Sequence, residues 1–574
     1  MPWIIKFPMN NVQYSKAMSS NHSPWWQQGV IYQIYSLSFA DGNGDGRGDL
    51  DGIIQRLDYL NDGRKNSETS LGIDTIWITP VNSSPMVDNG YDVSNYYDIC
   101  PTFGTLEDFD NLVEAAHQRG IKVIFDLVIN HTSDQHHWFV ESCTSRDNPK
   151  SDWYLWQDPS SDGSVPNNWR SYFGGSGWTF NEQRQQYYFH SFNQNQPDLN
   201  WCNPNVKAAV FEIIRFWLER GIDGFRLDAS SVYSKDLHFR DNPLKYEATD
   251  AIKYRNFHHL YTRDLPENHD IIQKIRSILE QYDDRVLIGE TFIDDTTIES
   301  NSFYGKNLDE LHLPCTFKFA LNPWHPGFLQ LEIQNKEMTT PAGAWPLYFS
   351  DNHDIPRHLS RWFDCSLSNN ASDVAKGVAA LLLTVRGTPI IYYGQELGLF
   401  NKTDIPAEQT SDYAVMDRDT DEPTPPPRDG ARTPMQWDAS PQAGFSFGRD
   451  IQPWLPLHGD YTENNVESQL KDPNSVLNFY RALLKIRKHS SALQRGRWCP
   501  LIDYPHEQFA YLREAEDETV LVVINYAKEA QFMTDKPIQS SWKILLSNRF
   551  DSGKSMDLPR TLKPFEVSIL QACP

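Results

Sequence analysis

Cysteine is sparse and unpatterned in this 574-residue chain. Its seven cysteines (Cys100, Cys143, Cys202, Cys315, Cys365, Cys499 and Cys573) are widely spaced, odd in number and form no CxxC pair, which argues against a disulfide framework and a cysteine-ligated zinc site. Long apolar runs are missing too. No stretch reaches the roughly 18 apolar residues of a membrane span, and the N-terminal segment MPWIIKFPMNNVQYSKAMSS breaks its short apolar patch at Lys6 and Pro8, unlike a secretory signal. A cytoplasmic location is the expectation. Positive charge is in deficit, 52 basic against 76 acidic residues for a formal net charge of -24. A nucleic-acid backbone or an anionic membrane would be repelled, so a neutral partner fits better.

What is present describes a folded protein of more than one unit. Apolar residues make up 39% and charged residues 22%, a globular composition, and the length exceeds one ordinary core. The 18 Trp, 26 Tyr and 30 Phe supply flat apolar rings of the kind that cover sugar faces, although most belong to plain core. From Trp25 onward, short β-type runs alternate with helical segments: GVIYQIYSLSF from Gly29, TIWITPV from Thr75, KVIFDLVIN from Lys122, GFRLDA from Gly224, VLIGE from Val286, ELHLPCTFKF from Glu310, WPLYFS from Trp345 and TPIIYYG from Thr388. Eight such strands predict an α/β protein built on a (β/α)8 TIM barrel. Thr105 is a candidate cap for a helix ended by Gly120, and Asn203-Pro204 opens another that stops at Gly221.

The expected organisation is an N-terminal extension over residues 1–24, a barrel over 25–130 and 197–495, an inserted small domain over 131–196, and an antiparallel β-sandwich over 496–574. The insertion follows from length, because ordinary βα loops run to about six residues. A second long loop, about Lys402 to Gly430, is acidic and Pro-rich and should also sit at the barrel mouth.

The working face of such a barrel is the C-terminal end of its strands. Asp126 and His131 stand around the third strand, Arg226 and Asp228 on the fourth, Glu290 on the fifth, His353 and Asp354 after the seventh, and Glu396 after the eighth, all expected on one rim. Arg226 and Asp228 are two apart and share a face. Arg226 favours an ionised Asp228, as a nucleophile requires, whereas nearby carboxylates favour a protonated Glu290, as a general acid requires. A lone strand-end acid is usually a salt-bridge partner; Asp228, Glu290 and Asp354 together with two histidines and an arginine are not explained that way.

GFRLDA around Asp228, IGET around Glu290, SDNHD around Asp354 and DLVINH ending at His131 resemble, in order and position, the four signature segments of glycoside hydrolase family 13, the α-amylase family. QPDLN at Gln196 and YYGQELG at Tyr392 resemble its accessory segments, and DNGYD at Asp88 and RDGARTPMQW at Arg428 are similar to the α-glucosidase and oligo-1,6-glucosidase branch. The resemblance implies that Asp228 is the nucleophile, Glu290 the acid/base and Asp354 the holder of sugar hydroxyls. It implies that Tyr91 stacks under the first glucose, that His131, Arg226 and His353 bind its hydroxyls, and that Asp88 and Arg432 hold its far end. Phe192 and Gln196 are further pocket candidates. The implied activity is a retaining, exo-acting α-glucosidase on small oligosaccharides. Ala229, after the nucleophile, leans towards maltose-type or sucrose substrates over α-1,6 linkages.

The run DGNGDGRGD places oxygen donors at Asp41, Asn43, Asp45 and Asp49, with the Arg47 carbonyl between them. Alternate oxygens on a Gly-rich turn suit a hard cation, although Gly52 at the twelfth position disfavours an EF-hand. The resemblance favours structural Ca2+, with Mg2+ the alternative and a metal-free polar turn the plain one. Two other readings stand beside hydrolysis: glucosyl transfer, as in sucrose isomerases and trehalose synthases, for which NHTSDQHHWF at Asn130 speaks, and a non-catalytic barrel scaffold, which the intact acids oppose.

Overall fold

The computed structural model describes residues 23–573 except 66, 247, 249–252, 292–300, 363–369, 413–427, 449–450, 502–506, 534–540 and 559. Most of the expected N-terminal extension, Cys365 and the middle of the 402–430 loop lie outside the described residues. The other six cysteines are unbridged, and no helix among the described residues is long and apolar enough to cross a membrane.

Eight short parallel strands form the barrel: β1 (Ile31–Ile34), β2 (Thr75–Ile78), β3 (Lys122–Leu127), β4 (Gly224–Leu227), β5 (Val286–Glu290), β6 (Leu313–Cys315), β7 (Leu347–Phe349) and β8 (Thr388–Tyr392). They lie in the order β6-β5-β4-β3-β2-β1-β8-β7, and β6 comes back alongside β7 to close the ring. Almost every strand residue is buried, because helices cover the outside while side chains fill the inside.

Most of the expected strands are shorter than the runs that announce them, and after two of them the chain turns helical. β1 stops at Ile34, and Ser36–Phe39 turn into a short helix. Ser36 marks the break: its N–H donates to Thr79 Oγ1 at 2.9 Å and its hydroxyl to the Thr79 carbonyl at 3.1 Å, side-chain bonds to the residue just past β2 that replace the ladder there. In ELHLPCTFKF only Leu313–Cys315 is strand, and Lys318–Leu321 is helical.

The helix starts follow from capping chemistry. Thr105 and Asp108 form a capping box at the head of Leu106–Gln118, which buries Phe109, Leu112, Val113 and Ala116. Asn203 accepts the Asn205 N–H ahead of Pro204–Glu219, whose inner face is Val206, Val210, Ile213, Ile214, Trp217 and Leu218. Gly120 and Gly221 follow these helices at φ +73° and +91°, a left-handed turn that glycine adopts without steric cost.

Between β3 and that second helix, Trp156–Gln157, Trp178–Asn181 and Gln186–Phe189 make a three-stranded antiparallel sheet with its own apolar cluster of Leu155, Trp169, Trp178 and Phe189. The C-terminal part is a six-stranded antiparallel sheet with a separate two-stranded ribbon. Its strand Thr519–Asn525 has two buried faces. Val520, Val522 and Ile524 join the main core, whereas Leu521 and Val523 join a second cluster with Trp542 and Leu570, as a period of two requires. The sheet therefore packs against the barrel's helical shell, near helix Ala371–Thr384.

Candidate active site

β3, β4 and β5 bring the first cluster together through their register. Asp126 on β3 and Ile288 on β5 are the partners of Arg226 on β4, and Glu290 follows two residues after Ile288, on the same face. Arg226 Nη1 donates to Asp126 Oδ1 at 2.9 Å and to Asp228 Oδ1 at 2.8 Å, while Nη2 donates to Glu290 Oε2. Asp228 and Glu290 thus sit on the two terminal nitrogens of one guanidinium. Trp77 Nε1 and the Tyr91 hydroxyl each donate to Asp126 Oδ2 at 3.0 Å. Ala229, directly after Asp228, has φ +46°, a left-handed conformation costly for a residue with Cβ. That turn aims its N–H at Glu290 Oε2, 3.3 Å away.

A second cluster forms around Asp354, whose side chain keeps 27% exposure. Its Oδ1 accepts from Arg428 Nη1 at 3.1 Å and Arg432 Nη2 at 3.3 Å, and its Oδ2 lies 3.2 Å from His353 Nε2. His353 Nδ1 meets Gln33 Nε2 at 2.8 Å. The ring of His353 stacks on Tyr91, with centroids 5.2 Å apart. At the return of the inserted segment, Gln196 Nε2 donates to Asp88 Oδ2 at 3.1 Å, and Phe192 lies edge-on to His131 at 5.4 Å. His131 Nε2 is 2.9 Å from the Tyr91 carbonyl.

The structure adds one residue to the expected set and removes another from the rim. Asp88, expected with Arg432 at the far end of the sugar, is ion-paired to Arg428, Nη2 to Oδ1 at 2.9 Å. A 3-10 turn over Arg428–Ala431 separates the two arginines, and Arg432 is the more deeply buried, with its Nε on the His353 carbonyl at 2.8 Å. Arg428 also donates to Asp412 at 2.8 Å, which makes it the hub of Asp88, Asp354 and Asp412. Glu396 does not join the rim. It is fully buried and accepts from the Tyr32 and Tyr59 hydroxyls at 2.7 and 2.8 Å, because Tyr32 projects to the opposite side of β1 from Gln33, towards the helices.

Charge is unevenly distributed. Around Arg226, three buried carboxyls share one guanidinium, so full ionisation would leave two uncompensated negative charges in a dry site. Burial, opposed by Arg226 and reinforced by Asp228 and Asp354, pushes Glu290 up to about 8. Burial likewise lifts Asp126 to about 7 and raises Asp228, with Arg226 pulling both back. Asp354 behaves oppositely: burial raises it, but His353, Arg428 and Arg432 together hold it well below the usual carboxylate range. Burial pushes His353 down to about 3, although Asp354 beside it favours its charged form, so the two arginines carry the lasting positive charge around Asp354. The arrangement can offer a proton at Glu290 and a permanent negative charge at Asp354.

The loop after β1 is wrapped around its acids. Asp41 accepts N–H bonds from Gly44, Asp45 and Gly46, and Asp49 from Gly42, Asn43 and Gly52. Asn43 and Asp45 accept from the Asp45 and Arg47 amides at 2.9 and 2.8 Å. Among the described residues no group of three or more His, Cys, Asp or Glu side chains is placed to hold a metal. An ion here would also draw on the Asn43 amide and the Arg47 carbonyl, a hard oxygen set that suits calcium.

Fold and site together define a glycoside hydrolase. The family model for the α-amylase catalytic domain matches residues 33–496. The oligo-1,6-glucosidase of Heyndrickxia coagulans is 39% identical across 95% of this chain and 99% of its own length. A probable alpha-glucosidase of Rhizobium meliloti is 41% identical across 88% and 90%. The solved structure of XgtA, an alpha-glucosyl transfer enzyme, superposes with a TM-score of 0.87 at 37% identity over 96% of this chain and 100% of that one. The chain belongs to the α-amylase family, glycoside hydrolase family 13, in its α-glucosidase branch.

With Glu290 held protonated up to about 8, kcat/KM for an aryl α-glucoside should stay high into neutral pH and fall as pH rises through that value. A pH–rate profile measures it. An alkaline limb near ~4.5, the free-carboxyl value, would show that the cluster does not retain the proton.

Proposed function

We propose that this α-glucosidase removes single glucose units from the non-reducing ends of short α-glucosides with retention of configuration, maltose-type and sucrose substrates being favoured. The observation that carries the reading is the shared guanidinium, with Asp228 on Nη1 and Glu290 on Nη2 of Arg226. Carboxyls bridged in this way suit the ~5 Å separation of a double displacement. Asp228 attacks carbon 1 as Glu290 protonates the leaving oxygen; Glu290 then deprotonates water, which releases α-glucose and restores both groups. Asp354, held anionic, binds hydroxyls as charge develops on the ring. Tyr91, His131, His353, Phe192 and Gln196 line the first sugar site.

The ion-pair hub of Arg428 with Asp88, Asp354 and Asp412 closes the far end of that site and supports action at chain ends. Ala229 supports the linkage preference. The rings of Tyr91 and Phe192 and the net negative charge support a neutral oligosaccharide as substrate. Structural calcium at Asp41, Asn43, Asp45, Asp49 and the Arg47 carbonyl completes the proposal, with magnesium as the competing ion.

Asp228→Asn should lower glucose release from an aryl α-glucoside at least ~10^3-fold with an unchanged circular-dichroism spectrum; undiminished turnover removes the nucleophile assignment. Rates on maltose, isomaltose, sucrose and trehalose, with products separated by chromatography, read the linkage preference and distinguish hydrolysis from glucosyl transfer. Arg428→Ala should cost ~10^2-fold in kcat/KM, mostly as a raised KM, and unchanged kinetics would dissociate Arg428 from substrate. Adding Ca2+ to chelator-treated protein should raise Tm by about 2–5 °C, and Asp45→Ala should abolish the shift. Equal melting curves with and without Ca2+ or Mg2+ remove the metal from the reading.

A further inference from the structure

Lys235, on the loop after β4, carries a fully buried ammonium group with three neighbours. It donates to Asn130 Oδ1 at 2.8 Å, to the Asp198 carboxylate and to the Val232 carbonyl. An ammonium has three hydrogens and no lone pair, so every partner must present an acceptor. Asn130 therefore turns its amide oxygen to Lys235 and cannot flip. Its amide nitrogen is then the atom 3.1 Å from His131 Nδ1. That nitrogen can only donate, so Nδ1 must accept, and the ring's single proton stands on Nε2, 2.9 Å from the Tyr91 carbonyl.

Gln196 does not disturb this assignment. Its amide oxygen accepts the Asn193 N–H at 3.0 Å, and its nitrogen donates to Asp88 and to the Tyr91 carbonyl, each at 3.1 Å. The 3.2 Å approach of that nitrogen to His131 Nε2 is a contact between groups whose hydrogens point elsewhere. Asn130, His131 and Lys235 are all at most 4% exposed, so water does not offer the ring an alternative partner.

We infer that Lys235 is a positioning residue: through the Asn130 amide it locks His131 as the neutral tautomer protonated at Nε2. The inference deepens the proposed function and rests on its reading of His131 as a sugar-binding group. It gives Lys235 a task that the catalytic acids do not cover. Asp198 also accepts from the Ser191 N–H and hydroxyl at 2.8 and 2.6 Å, so the same lysine ties the inserted segment to the barrel. A test must separate positioning from that structural tie.

Full-length protein labelled with 15N-histidine supplies the separating signal, with the His131 resonances assigned by their loss in His131→Asn. In the wild type, a protonated Nε2 and a bare Nδ1 are expected. The double variant Lys235→Met/Asp198→Asn removes both charges, so no buried carboxylate is stranded. It should give a mixture of His131 tautomers and lose ~10-fold or more in kcat/KM. Asn130→Asp keeps the ion pair but faces Nδ1 with an acceptor, and Nδ1 should then become protonated. Should the double variant fail to fold, Lys235→Gln gives the same readout, since its amide can turn either atom to Asn130. A His131 still protonated at Nε2 alone in these variants, with full kcat/KM, would overturn the inference. Wild-type kinetics in His131→Asn would instead overturn the reading of His131 on which it rests.

Discussion

One buried guanidinium surrounded by three carboxyls is the constraint from which the site follows. Arg226 is paired to Asp126 by the β3–β4 register, to Asp228 by the pleat of its own strand, and to Glu290 by the β4–β5 register. The ring of Trp77 lies 5.1 Å from the guanidinium carbon, and Arg226, Asp126 and Glu290 are buried, so water screens these ions little. One positive charge cannot support three ionised neighbours at this depth. Raised carboxyls are the consequence, and at Glu290 the shift suits the proposed general acid.

The opposite side of the pocket reverses the balance. Asp354 faces two arginines and a histidine, and its charge is stabilised where those at Asp126 and Glu290 are penalised. Chemically alike carboxyls thereby divide into a proton donor and a standing anion, the separation of environments by which one site performs acid and base chemistry at one pH. The division depends on Arg428, which arrives from the long segment after β8, and on the stacking of His353 between Tyr91 and Tyr35.

Much of this was legible in the residue order, and the exceptions have physical causes. The eight strands could be read because each is a short apolar run between turn or capping residues, and the helix starts because Thr105 and Asn203 act on amides within three residues. Asp126 was visible as a rim acid, but its tie to Arg226 depends on strand register, which does not show in either strand alone. Glu396 was misplaced because lying near a strand end does not say whether a side chain turns to the axis or to the helices; Tyr32 and Tyr59 hold it among the helices. Arg428 and Arg432 share one short motif, and only the turn between them decides which reaches Asp88.

The amino-acid order alone determined the barrel, the long insertion after its third strand, and the strand-end position of Asp228, Glu290 and Asp354, because alternation, capping and strand ends are local properties; what singles these three out among the strand-end acids is the resemblance to the α-amylase family. Tertiary structure alone decided which cation meets which acid, which carboxyls burial raises and which the arginines hold low, and which arginine reaches Asp88. Those outcomes depend on distance and burial between residues up to 340 positions apart, and Coulomb energies in a dry site change steeply with both.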